Sequence, residues 1–110
     1  MTEGTPATLE SMNAAAYPAL AQFARGYLHQ DAPVEYGTFT QAFRTFWSDA
    51  DRDEQERFLL EWRAFLSLSD RRAWPDVRHA LERLGAAWIP PTRRALGGLR
   101  RAIGRSMRVS

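Results

Sequence analysis

Few side chains in this sequence could do chemistry. Its 110 residues include two histidines, His29 and His79, 13 carboxylates and no cysteine. Without cysteine there is no thiol nucleophile, no disulfide scaffold and no thiolate metal site. The histidines lie far apart, so no short metal-ligand spacing exists. No serine occupies a G-x-S-x-G turn. Gly97-Gly98 lacks the spacing and the preceding strand of a phosphate loop. The carboxylates could in principle supply a general acid and base, but they gather where helices begin, and there acids cap free N–H groups or face water. His29-Gln30-Asp31 is the most polar local cluster that follows an apolar helix, and it reads as a helix end where a donor meets free carbonyls. The expectation is a protein that is not an enzyme, with no catalytic, cofactor-binding or metal-binding residue.

Charge is the stronger signal. Residues 1–92 hold nine arginines and all 13 carboxylates, whereas residues 93–110 hold six arginines and no carboxylate. Every basic residue is arginine. Within the acidic body, Asp31 and Glu35 share one loop, and Asp49, Asp51, Asp53, Glu54 and Glu56 crowd the turn between two helices. A negative rim beside an exposed aromatic such as Tyr36 suits capture of a basic protein by steering and charge complementarity. The basic end, with Arg93, Arg94, Arg100, Arg101, Arg105 and Arg108, could contact nucleic acid phosphates or an anionic surface, or dock on the acidic body. Net negative charge over the first 92 residues would repel phosphate, which counts against nucleic acid as the partner.

Helices must position these groups. Residues 1–16 are small and polar and read as a flexible segment, residues 17–91 as a helical domain, and residues 92–110 as an Arg-rich amphipathic tail. Pro18 fits a first helical turn, after which Leu20, Phe23, Ala24, Tyr27 and Leu28 form one stripe, ended by Asp31-Ala32-Pro33. Thr38 to Gln41 reads as a capping box before Phe39, Ala42, Phe43, Phe46 and Trp47. Asp51 and Glu54 offer a second cap-like pair before Phe58, Leu59, Trp62, Phe65 and Leu66. Pro75 opens a fourth helix with Val77, Leu81 and Leu84 inward and Gly85 at its C-terminal cap. Thr92 can cap a fifth helix carrying Leu96, Leu99, Ile103 and Met107, although Gly97, Gly98 and Gly104 together cost it about 3 kcal/mol against alanine. The expected architecture is all-α, a compact bundle of four short helices with a fifth, basic C-terminal helix that frays alone. Each aromatic stripe could be core or interface, since periodicity does not distinguish them. The acidic, weakly apolar N-terminus is unlike a secretory signal, and no run approaches the roughly 18 apolar residues of a membrane span, so the expected compartment is the cytoplasm.

Several fragments carry a resemblance. Tyr17-Pro18-Ala19-Leu20, Phe23 and Gly26-Tyr27-Leu28-His29-Gln30-Asp31 resemble the opening of a family of contact-dependent growth inhibition immunity proteins, with an aromatic-rich helix running into a His-Gln-Asp turn. The likeness continues through Gly37-Thr38 and the Ala42, Phe46 helix, and closes at Leu84-Gly85-Ala86-Ala87-Trp88-Ile89-Pro90. It implies a small cytoplasmic protein of a Gram-negative bacterium that needs no cofactor. Such a protein binds and neutralises the C-terminal toxin domain of a delivered effector. Toxins of these systems are commonly nucleases, tRNases among them, with basic substrate clefts, and the inhibitor would work by occlusion. On that reading Asp31, Glu35, Tyr36, Asp49, Asp51, Asp53, Glu54 and Glu56 are the toxin contacts. The alternative is a small helical nucleic-acid-binding or regulatory protein that uses the arginine tail.

Overall fold

In the computed structural model, residues 8–109 are described, with side chains through residue 106. The portion of the flexible-segment expectation on residues 1–7, and the side chains of Met107 and Arg108, lie outside that range. Helical spacing becomes six α-helices: α1 (Pro18–Tyr27), α2 (Ala32–Tyr36), α3 (Phe39–Asp49), α4 (Arg52–Ser69), α5 (Trp74–Leu84) and α6 (Arg93–Val109). The fold is all-α, with no strand among the described residues.

Stripes turn inward as their spacing requires. Phe58 of α4 is fully buried, with ring centroids 5.5 Å from Phe23, 5.7 Å from Phe43 and 5.0 Å from Phe46. That cluster clamps α1, α3 and α4 together, each buried phenylalanine stabilising by about 1.5–3 kcal/mol. Val77, Ala80, Leu81 and Leu84 close the core from α5.

Caps fix where the helices begin and end. Asp51 accepts from the Glu54 N–H at 2.9 Å while Glu54 accepts from the Asp51 N–H at 3.0 Å, a complete capping box. The expected box at Thr38 is only half made. Thr38 accepts from the Gln41 N–H at 3.1 Å, but the Gln41 side chain turns to Thr45 instead. At α1 the cap comes from across the core: the Leu20 N–H donates to Glu61 at 2.8 Å. Gly85 ends α5 at φ +108°, and the Gly85 and Ala86 N–H groups return to the carbonyls of Glu82 and Leu81 at 2.9 and 3.1 Å, the hydrogen-bond pattern of a Schellman motif. A side chain at Gly85 would also meet Arg25, whose Cγ lies 2.7 Å from the Cβ position.

Three further places depart from or go beyond the sequence expectation. Leu9 and Met12, in a segment expected to be frayed, are buried in the core, and Arg83 donates to their carbonyls at 2.6 and 3.3 Å. α1 ends earlier than expected, at Tyr27 with Leu28 as its C-cap, and Asp31-Ala32-Pro33 starts another helix, because proline is tolerated in a first turn and buried Ala32 gives α2 a foothold. The fifth helix, expected to fray alone, is ordered as α6 where it packs on the body. It lies against α3 with Leu96, Leu99, Ala102 and Ile103 buried, enough apolar surface to offset its three glycines.

Candidate functional site

Tyr27 sits at the last turn of α1 with its ring half-buried and its hydroxyl reaching out. A buried tyrosine ring needs a partner for its O–H, and here the hydroxyl donates to Asp49 at 2.9 Å. Tyr36 of α2 stacks on Tyr27 with ring centroids 5.9 Å apart. Glu54 is joined to the same helix through Gln22, whose amide donates to it at 3.2 Å. Burial first, then the hydrogen bond and charge of Asp49, push the Tyr27 phenol up to about 12. Burial also raises Tyr36, with the charges of Glu35 and Asp49 adding to it. Asp49 thus meets Tyr27 directly, and the Asp31–Glu35 segment reaches it through the Tyr36 ring.

The other candidates divide by role. Glu35 lies 3.2 Å from His29 Nε2, while His29 Nδ1 accepts from the Asp31 N–H at 3.1 Å, so the imidazole is a strut across the α1–α2 turn rather than a cap on free carbonyls. Asp31 is exposed at the start of α2, and its carbonyl accepts from the N–H groups of Val34 and Glu35 at 3.1 Å each. Val34 crests that short helix with 92% of its surface exposed. Asp51 and Glu54 are occupied by the capping box. Asp53 and Glu56 are exposed on α4, on the stripe that carries Leu60 and opposite buried Phe58, Trp62 and Phe65; Arg52 approaches Glu56 at 3.7 Å. Sequence reading placed Tyr27 in the core stripe and missed it as the centre. The available signal was a tyrosine at the edge of an apolar stripe, whose hydroxyl must find an acceptor.

The arginine end is built differently. Arg93 donates to the Ser69 carbonyl at 3.4 Å and also to that of Arg72, and Arg100 lies 3.6 Å from Asp70. Arg72 itself donates to Glu10 at 3.0 Å and to Asp76 at 3.1 and 3.3 Å. The Arg72 hydrogen bond holds the Glu10 carboxyl down at about 2, and Arg72 is raised in turn. Arg94, Arg101 and Arg105 remain exposed on α6. Among the described residues no three His, Asp or Glu side chains come together as a metal-binding set, and no helix is long and apolar enough to cross a membrane.

The family model described as CdiI immunity protein matches residues 16–95. The chain belongs to the CdiI immunity protein family. Membership makes it a toxin-neutralising immunity protein whose partner is a cognate toxin protein. No match was found among curated proteins or among solved structures. The family-matched span includes Tyr27 and every acidic candidate named above, and it stops at the beginning of α6. Its opening and closing blocks touch: the N–H groups of Ala87 and Trp88 donate to the Leu28 carbonyl at 2.8 and 2.9 Å.

Proposed function

We propose that this immunity protein holds the C-terminal toxin domain of a contact-dependent growth inhibition effector against the acidic face centred on Tyr27, and that it works by occlusion in the cytoplasm. The toxin is a nuclease, a class that includes tRNases, because a cleft that binds polyanionic substrate is basic and is complementary to such a face. The supporting observation is the meeting of Tyr36 and Asp49 on Tyr27, which brings α2 beside the acidic turn that follows α3. Asp31 and Glu35 extend it along α2, and Asp51, Asp53 and Glu56 extend it along the start of α4. Covering the cleft excludes the phosphate backbone of the substrate, and no turnover or cofactor is required.

Calorimetry with the toxin domain encoded beside this gene, run alongside an assay of its nuclease activity, tests the reading. A stoichiometric nanomolar complex that silences the toxin supports it. A folded toxin domain that does not bind overturns it. Reversing Asp49, Asp53 and Glu56 to lysine should slow association and weaken its salt dependence.

Among the described side chains the nucleic-acid alternative keeps three exposed arginines not engaged with the body, Arg94, Arg101 and Arg105, because Arg93 and Arg100 are tied to it. Three phosphate contacts give a log–log salt slope of about −2 to −3, which a titration against RNA would reveal. Deleting residues 93–110 is not a clean test of that alternative, since it strips buried Leu96, Leu99, Ala102 and Ile103 from the core.

A further inference from the structure

We infer that Val34 is the apolar anchor of the acidic face and that it enters a shallow apolar pocket with a basic rim on the partner toxin domain. The inference rests on the proposed function and adds the chemistry of the partner's surface. Val34 gives nothing to the core, being 92% exposed. The helix beneath it is nonetheless held from several sides. Ala32 is fully buried, Tyr36 stacks on Tyr27, the Asp31 carbonyl takes the Val34 and Glu35 N–H groups, and His29 braces Glu35. Gly37, at φ +80°, turns the chain sharply out of the helix, and the Pro33 ring fixes φ within it.

The result is an aliphatic side chain presented on a preorganised knuckle, so docking it orders little new backbone. Its immediate setting decides the partner's character. Asp31 and Glu35 are exposed on the same short helix, with no basic residue between His29 and Arg44. A wholly apolar pocket would desolvate those carboxylates with only His29 beside Glu35 to compensate, which is costly. A pocket rimmed by lysine or arginine satisfies them while its floor takes the isopropyl group, the arrangement of apolar centre and polar rim found in protein interfaces.

Leu60, at 66% exposure, is the rival exposed apolar residue, and it stands on the outward stripe of α4 with Asp53 and Glu56. The test is calorimetry and stopped-flow association with the adjacent toxin domain, using the full chain and the variants Val34→Ala, Leu60→Ala and Glu35→Gln. Thermal melts check that Val34→Ala folds as the parent does. Val34→Ala should weaken binding about tenfold through faster dissociation, by about the same factor at low and high salt. Glu35→Gln should act mainly on association, with an effect that salt erases. Leu60→Ala should change affinity less than twofold. A change under twofold for Val34→Ala overturns this inference while leaving the proposed function standing. An equal or larger loss for Leu60→Ala moves the anchor to α4 and overturns it also. If the parent chain does not bind the folded toxin domain, the proposed function falls and takes this inference with it.

Discussion

The acidic end around Tyr27 and the arginine end around Arg72 both carry dense charge, yet they use it in opposite ways. At the arginine end Arg72 and Arg93 donate to Glu10, Asp76 and the Ser69 carbonyl, and Arg100 pairs with Asp70 at the surface, so these charges tie segments of the chain together. At the acidic end several carboxylates face water, and the contacts they do make are local caps or the hydroxyl of one tyrosine. Charge committed to internal hydrogen bonds is unavailable to a partner, whereas charge left in solvent on a fixed scaffold is available at little reorganisation cost. The difference teaches that net charge by region is a poor guide: Arg93 and Arg100 of the basic tail are tied to the body while Arg94, Arg101 and Arg105 face water, and in the acidic rim Asp51 and Glu54 cap a helix while Asp31 and Asp53 face water.

Mutations rank along that contrast. The largest effect should come from the basic helix. Ile103→Ala opens the core behind α6 and should cost about 2–5 kcal/mol in urea denaturation; a cost below about 1 kcal/mol would show that α6 is an appendage. At the acidic end, Asp51→Ala removes a cap and should cost about 0.5–2 kcal/mol, so any lost toxin affinity in that variant mixes folding with contact. Asp49→Ala removes the acceptor of the Tyr27 hydroxyl and should cost about 0.5–1.5 kcal/mol, while the Tyr27 phenol, followed by ultraviolet absorbance, titrates below about 12 but still above its ordinary 10, because burial remains.

The two ends should also part under pH. Glu10 is depressed from 4.5 to about 2 in the fold, so its contribution is complete above pH 4.5 and disappears as pH falls towards about 2. Tyr27 is raised from 10 to about 12, so its contribution is complete below pH 10 and disappears as pH rises towards about 12. Melting temperatures of Glu10→Gln should therefore lose part of the acid limb and leave the alkaline limb alone. The smallest stability change belongs to Asp53→Asn with Glu56→Gln, within about 0.5 kcal/mol. A larger loss there would mean that these two acids are structural and the contrast between the ends is overdrawn.

Long apolar stripes were readable because a helix of three turns repeats its pattern often enough to stand out. Phe23, Phe43, Phe46, Phe58, Trp62, Leu84, Leu99 and Ile103 all lie in the core that their spacing indicates. α2 was not readable: five residues hold little more than one turn, and Pro33 signals a stop as well as a start. Leu9 and Met12 offer a single i, i+3 pair amid small residues, and what holds them is a set of contacts with Arg72 and Arg83, remote in sequence. Seven acidic candidates stand out in the sequence as charge clusters, with Tyr36 beside them, but the place of Tyr27 among them does not. Tyr27 gains its meaning from Asp49 and Tyr36, which only the folded chain brings beside it.

One carbonyl has a kinetic consequence. Leu28 is the common acceptor for the Ala87 and Trp88 amides, and it closes a loop that runs from the end of α1, through α2 to α5, to the turn beyond Gly85. Two protons that share one acceptor are released by a single opening, so in hydrogen exchange Ala87 and Trp88 should behave as one unit. A contact of such sequence separation forms late, after the helices it joins. The last turn before α6 would then be the latch whose opening marks the first step of unfolding.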